Sequence, residues 1–156
     1  MVSHLTLDEV LEKAVRKEIE SQNLYTDLSH RVKEPAARDA FQEMVRQERR
    51  HQEMLERYRR GEFKEGALSR QGVIDYRIAE HFDGAEATPN MPLRDVFLLA
   101  ANREKMSHEF YLNLAAIHPA GEVKRLLEDL AGQELSHKQR VEFLYTEVAF
   151  PQTDGG

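Results

Sequence analysis

The sequence predicts an all-α protein: a bundle of four long helices arranged as two antiparallel hairpins. Four segments carry apolar residues at helical spacing, and proline or glycine residues separate them. The first and second segments are joined by a short link, as are the third and fourth, whereas residues 61–91 separate the two pairs. Short links join antiparallel neighbours in a bundle, and a long connection crosses from one end to the other.

The first hairpin is predicted over residues 7–32 and 35–60. Its first helix has an apolar face made of Leu7, Leu11, Ala14, Tyr25 and Leu28. Pro35 cannot continue that helix, but it suits the first turn of the next one. The apolar face of the second helix consists of Phe41, Met44, Val45, Leu55 and Tyr58. Gly61 then provides a C-terminal stop.

The second hairpin is predicted over residues 92–117 and 121–149. Its apolar faces consist of Leu93, Phe97, Ala100, Tyr111 and Leu114 in the third helix, and Leu127, Leu130, Val141, Leu144 and Val148 in the fourth. The crossover at 61–91 is interrupted by glycine and proline, and we expect one short helix in it, from about Gly72 to His81. Residues 1–150 are predicted to form one domain, and 151–156 a tail.

The composition excludes several classes of site. The chain of 156 residues contains no cysteine, so disulfides, thiolate zinc sites and iron-sulfur clusters are ruled out, and any metal must be held by nitrogen and oxygen. The net charge is -6 and the arginines of the second helix alternate with glutamates, which argues against nucleic-acid binding. The sequence shows neither a signal peptide nor a membrane span, so we expect a cytoplasmic protein.

The two predicted hairpins are copies of one unit. When the first is shifted by 86 residues, several polar and aromatic residues fall on identical ones. These pairs include Glu18 and Glu104, Ser21 and Ser107, Tyr25 and Tyr111, Gln47 and Gln133, Glu48 and Glu134, and His51 and His137. We therefore expect a bundle with approximate two-fold symmetry about a shared site.

Six of the repeated side chains are candidate metal ligands. Glu18 interrupts the apolar face of the first helix between Ala14 and Ser21, and Glu104 does the same in the third. Residues three apart share a helix face, so Glu48 and His51, and likewise Glu134 and His137, point together into the bundle. Burying four carboxylates without compensation costs many kcal/mol. Two divalent ions would balance their charge.

Other interpretations of these residues are weaker. A glutamate followed by histidine three residues later arises by chance in a glutamate-rich helical chain, but here the pattern occurs once in each half, in the same order. Tyr25 and Tyr111 could equally serve packing in the core. His108 lies four residues after Glu104 and is predicted to be a surface residue or an outer contact of the site, because its counterpart is Gln22.

The segments EIESQNLY, ERRH, EKMSHEFY and ELSH resemble the four metal-binding helices of the ferritin-like di-iron carboxylate superfamily, and their Glu-x6-Tyr spacing is similar to that of the rubrerythrins. The resemblance implies a ferritin-like four-helix bundle holding two iron ions (Fe²⁺/Fe³⁺). Glu18 with His51 and Glu104 with His137 would each serve one iron, and Glu48 and Glu134 would bridge them. Tyr25 and Tyr111 would hydrogen-bond to ligand carboxylates. Manganese or zinc could replace iron.

The resemblance further implies a di-iron peroxidase that reduces hydrogen peroxide or dioxygen. Rubrerythrins relay electrons through a cysteine-ligated domain, so this cysteine-free chain would need a separate electron-donor protein. Many rubrerythrins also carry an extra glutamate one turn after the third-helix ligand, where this chain has Ser107. The alternatives are a ferroxidase that handles iron and a non-enzymatic metal-binding bundle. We also expect a homodimer that covers apolar crossover residues, namely Val73, Ile74, Ile78 and Phe82.

Overall fold

The computed structural model describes residues 4–78, 88 and 90–149. Its four long helices are α1 (Leu7–Arg31), α2 (Pro35–Arg59), α3 (Leu93–Ala116) and α4 (Glu122–Ala149). Helix α1 packs along α2, and α3 packs along α4, so the predicted bundle of two hairpins is confirmed. None of the helices described is long and apolar enough to cross a membrane.

The helix ends follow from local chemistry. Thr6 caps α1: its hydroxyl accepts a hydrogen bond from the Glu9 backbone N–H at 3.1 Å, and the Glu9 carboxylate accepts one from the Thr6 N–H at 3.2 Å. Pro35 occupies the first turn of α2. Beyond the end of α2, Gly61 adopts a φ of 79°, a left-handed conformation that glycine adopts without steric cost.

The crossover differs from its prediction. Over residues 72–78 there is no α-helix; instead a strand β2 (Val73–Asp75) and a single 3₁₀ turn (Tyr76–Ile78) are present. Strand β2 pairs antiparallel with β1 (His4–Thr6), and Leu5 lies opposite Ile74. The predicted helix was wrong there because β-branched Val73 and Ile74 suit a strand once a partner strand is available. His81, at the end of the predicted helix, lies outside the described residues.

This strand pair partly covers the apolar crossover residues. Ile74 is only 5% exposed and Ile78 packs against the core, whereas Val73 is 69% exposed. Phe82 lies outside the described residues, as do residues 150–156. Since the chain itself covers Ile74 and Ile78, these two residues no longer require a partner subunit.

Two apolar clusters lie on either side of a polar layer in the bundle. One cluster includes Leu11, Leu55, Phe110 and Leu127. The other includes Leu28, Phe41, Phe97 and Val141. Along every helix, the candidate ligands fall between the segments that enter these two clusters. The polar layer is thus enclosed at both ends by close-packed hydrocarbon.

At the end of the bundle where the crossover starts, a buried hydrogen bond joins Tyr58 and His118. His118 donates from Nδ1 to the Leu114 carbonyl at 2.7 Å, which leaves its Nε2 to accept from the Tyr58 hydroxyl at 2.8 Å. The Tyr58 oxygen in turn accepts from the Leu68 N–H at 3.0 Å. These bonds join α2, the end of α3 and the start of the crossover.

Candidate metal centre

The structure brings all six predicted ligands together in the polar layer. They are Glu18 from α1, Glu48 and His51 from α2, Glu104 from α3, and Glu134 and His137 from α4. Each of these residues is at most 4% exposed. Charged side chains are almost never this buried unless something compensates their charge. The four helices therefore converge on a core that contains six buried ionisable side chains.

Four-residue groups within this layer have the spacing of metal sites. One ligand atom from each of Glu18, Glu48, His51 and Glu134 lies within 4.8 Å of the others. A second group with the same spacing consists of Glu48, Glu104, Glu134 and His137. Glu48 and Glu134 belong to both groups. The arrangement is that of two neighbouring cation positions that share two carboxylates.

The imidazoles face the carboxylates through Nδ1. His51 Nδ1 lies 2.6 Å from Glu134 Oε1, and His137 Nδ1 lies 2.6 Å from Glu48 Oε1. Each histidine therefore meets a shared carboxylate of the opposite hairpin. The two rings lie nearly parallel, with centroids 6.0 Å apart. The centre is thus assembled across the hairpins.

Several buried atoms in the layer lack hydrogen-bond partners. They are the carboxylate oxygens Glu18 Oε2, Glu48 Oε2 and Glu104 Oε2. Buried polar atoms are nearly always hydrogen-bonded, so three such oxygens in one layer indicate a missing positive partner. Oxygen and imidazole nitrogen are ligands that iron, manganese and zinc accept. The residues present fit two divalent metal ions.

Without metal, the cluster holds protons. Burial, with the Glu48 charge beside it, raises the pKa of Glu18 to about 8, and burial together with the Glu104 charge raises the pKa of Glu134 well above its usual value. Burial disfavours protonated histidine, but Glu104 and Glu48 outweigh it and raise the pKa of His137 to about 9. The pKa of His51 is also raised, because burial is again outweighed by hydrogen bonding to Glu134 and other carboxylates.

The remaining two carboxylates are predominantly ionised. Burial opposes their ionisation, but hydrogen bonds from neighbouring groups lower the pKa values of Glu48 and Glu104. The metal-free layer therefore combines ionised carboxylates with groups whose raised pKa values favour bound protons, and these protons offset part of the negative charge that metal ions would otherwise balance.

The two predicted tyrosines bind ligand carboxylates across the hairpins. The Tyr111 hydroxyl donates to Glu18 Oε1 at 2.5 Å, and the Tyr25 hydroxyl donates to Glu104 Oε1. Burial raises the pKa of both phenols well above 10, so both retain their protons. In each glutamate the hydrogen bond occupies Oε1, and the unpartnered Oε2 remains available for a metal.

Several residues around the centre make contacts that the sequence did not predict. His51 Nε2 lies 2.7 Å from Gln133 Oε1, and His137 Nε2 is hydrogen-bonded to Gln47 Oε1. The sequence could have indicated both glutamines as neighbours of the centre, because they match in the repeat and each precedes a shared glutamate. Arg103 was also missed; its guanidinium contacts Glu20 Oε2 at 3.3 Å and so connects α3 to α1.

His108 lies outside both ligand groups. Its Nδ1 donates to the Ala131 carbonyl at 2.6 Å, and its side chain is half-buried beside α4. This position agrees with its prediction as a surface residue or an outer contact.

Comparisons with known proteins bear on both the fold and the family. A family model described as Rubrerythrin matches residues 9–145. No curated protein matches the sequence significantly. Among solved structures, a hypothetical protein from Pyrococcus furiosus is similar at TM-score 0.70 and 21% identity, covering 92% of this chain and 90% of its own.

A second solved structure comes from Thermotoga maritima and is described as a ferritin-like diiron-carboxylate protein. It is similar at TM-score 0.72 and 21% identity, covering 94% of this chain and 99% of its own. At this level of identity, the two structures establish a shared fold.

Proposed function

The chain belongs to the rubrerythrin family, and we propose that it binds two iron ions and reduces hydrogen peroxide or dioxygen with electrons from a separate donor protein. The observation that carries this proposal is the pair of four-residue groups that share Glu48 and Glu134. One shared pair of carboxylates holds two cations close enough to act on one small substrate.

In this proposal each residue has a defined role. Glu18 and His51 would hold one ion, while Glu104 and His137 would hold the other. Glu48 and Glu134, which belong to both four-residue groups, would contribute to both ions. The ligand sets of the two ions are then chemically equal, with one terminal glutamate and one imidazole each, and the charge of four carboxylates balances two divalent ions.

When bound, a pair of ferrous ions supplies the two electrons that convert hydrogen peroxide and two protons into two water molecules. The chain's own contribution is to hold the ligands in place. Tyr25 and Tyr111 hold Glu104 and Glu18 by hydrogen bonds, which leaves one oxygen of each for metal. The two apolar clusters limit access of bulk water from either end of the bundle. Re-reduction requires an external donor, because the chain has no cysteine to ligate a relay centre.

Ferroxidase activity and passive metal binding would use the same ligands, so the test must follow turnover. Protein loaded anaerobically with two ferrous ions per chain is mixed rapidly with peroxide or with air-saturated buffer, and absorbance is followed. We expect peroxide to oxidise both ions, with the ferric ions remaining bound and a chemical reductant restoring the ferrous form.

Each alternative gives a different result. A ferroxidase would continue to oxidise ferrous ions added in excess and would release ferric product. A passive bundle would show oxidation no faster than free ferrous ion in the same buffer. The exposed Glu53 of α2 offers a control variant, Glu53→Gln, which should behave as the wild type.

A further inference from the structure

The two histidines of the centre have different surroundings although their proposed metal ligands are equivalent. His137 is hydrogen-bonded through Nε2 to Gln47 Oε1. Gln47 in turn donates from Nε2 to Glu43 Oε1 at 3.4 Å. The other oxygen of Glu43 accepts from Arg46 at 2.6 and 3.0 Å. A continuous chain of contacts thus runs from the protein surface at Arg46 to His137.

The other half of the repeat lacks this chain. His51 Nε2 meets Gln133 Oε1 at 2.7 Å, but Gln133 is exposed and its amide nitrogen has no hydrogen-bond partner among the residues described. The counterpart of Glu43 is Asp129, which is one methylene shorter and makes no hydrogen bond within the described part of the chain. The counterpart of Arg46 is Gly132.

This difference affects which histidine nitrogen carries the proton. A carboxylate only accepts hydrogen bonds, so Glu43 binds the NH₂ group of Gln47 and leaves the amide oxygen facing His137. In the neutral form that binds metal, His137 must then donate from Nε2, which leaves the lone pair of Nδ1 free for a metal ion. Gln133 has no such anchor. If its amide turns over, the NH₂ group faces His51 Nε2, and the proton of neutral His51 moves to Nδ1, where it blocks a metal.

We propose that Glu43 is a positioning residue which, by orienting Gln47, favours metal binding at the His137 position over the His51 position. This inference rests on the proposed two-metal centre. It predicts two unequal positions despite equal ligand sets. It also predicts that Gln47, although adjacent to Glu48 and close to His51 in sequence, acts on the histidine of the opposite hairpin.

Cobalt-loaded protein provides the test, without any assay of turnover. In proton NMR of Co²⁺ proteins, the ring N–H of each bound histidine gives its own shifted, exchangeable signal. We expect two such signals in the wild type, one exchanging more slowly with solvent. Gln47→Leu should abolish or accelerate the slow signal and weaken one of the two Co²⁺ binding steps by about 10-fold or more. Gln133→Leu should instead alter the other signal.

Glu43 variants then test the orientation mechanism. Glu43→Ala should accelerate exchange of the same signal that Gln47→Leu affects. Glu43→Gln should behave more like the wild type, because its amide oxygen still accepts from Gln47. The matched control is Asp129→Ala at the equivalent position of the other half, and it should leave both signals unchanged. Thermal unfolding of each metal-free variant verifies that it is folded.

The outcomes separate this inference from the proposed function. Two bound Co²⁺ ions with both signals unchanged by Glu43→Ala, or with both changed alike, would overturn the role of Glu43 and leave the two-metal centre standing. The orientation mechanism would also be overturned if Glu43→Gln matched Glu43→Ala. Fewer than two Co²⁺ ions per wild-type chain would overturn the two-metal centre and, with it, this inference.

Discussion

At the scale of single residues, the six buried candidate ligands are not interchangeable. Glu48 and Glu134 belong to both four-residue groups, whereas the other four residues belong to one group each. Loss of a shared carboxylate removes a ligand from both proposed ions and leaves the remaining buried charges unbalanced. Loss of a terminal carboxylate affects one ion directly.

We therefore predict that the wild type binds two iron ions per chain, that Glu48→Ala binds none, and that Glu18→Ala retains one. Elemental analysis of protein reconstituted anaerobically and freed of excess iron measures this directly. Glu53→Ala, an exposed position on the same helix as Glu48, is the control and should bind two. A wild-type stoichiometry of one or less would refute the dinuclear site.

The raised pKa values lead to a prediction about protons. The pKa values of Glu18, Glu134, His51 and His137 are raised in the metal-free cluster, so these residues must lose protons to bind metal. Metal binding should therefore release protons at pH 7. Since the pKa values of Glu18 and His137 are raised to about 8 and about 9, the apparent affinity for metal should increase as the pH is raised toward that range.

Calorimetric titration with Zn²⁺ at pH 7, in buffers of different ionisation enthalpy, counts the released protons. Repeating the titration at pH 6 should give weaker binding, because protons compete more strongly with the ions. Binding that is independent of pH, with no proton release, would show that the ligands are already deprotonated in the metal-free protein.

At the scale of elements, helix α3 differs from the rubrerythrin pattern at one position that affects the proposed chemistry. Ser107 lies on α3 one turn after Glu104 and is 8% exposed, so it shares the buried face of the helix with that glutamate. The resemblance to rubrerythrins predicts a carboxylate there. Without it, each proposed ion keeps the same kind of ligand set in both redox states, so the irons should change position little between those states.

Ser107→Glu should accordingly raise the ratio of the peroxide to the dioxygen oxidation rate and increase the shift of one iron between oxidised and reduced crystals. The matched control is Ser21→Glu, which places the same carboxylate at the equivalent position of α1. If Ser107→Glu changes neither the rate ratio nor the iron positions, the proposed effect of this serine is wrong.

At the scale of the whole molecule, apolar residues remain exposed on the second hairpin. Leu98 and Leu112 of α3 are 50% and 44% exposed, and Phe143 of α4 is 61% exposed. Isolated exposed apolar residues are common, but three large ones on one hairpin favour association, and two-fold dimers are the commonest form.

We therefore predict a homodimer of the 18.1 kDa chain, which light scattering coupled to size exclusion would measure. Phe143→Glu should shift the population toward the monomer, whereas Glu53→Gln, at an exposed residue of α2, should not. A particle of 24 subunits would contradict the prediction and favour iron storage.

Features that depend on nearby residues could be predicted from the sequence, whereas contacts between residues far apart in the sequence could not. The helix class, the helix ends and the inward positions of the six candidate ligands were predictable, because helical periodicity and a glutamate three residues before a histidine are local features. The repeat added the expectation of a shared site. The strand pair was missed, because β1 and β2 are about 70 residues apart in sequence and neither is marked by a hairpin signal.

The sequence by itself determined the bundle and which carboxylates and imidazoles are buried in it, since these follow from the face on which each residue lies. Only the tertiary structure decided which side chains form hydrogen bonds with one another. Tyr25 meets Glu104 and Tyr111 meets Glu18, at sequence separations of 79 and 93 residues, and each histidine meets a glutamine of the opposite hairpin. Periodicity specifies the face of a helix but not the axial offset between packed hairpins, and that offset decides which side chains meet.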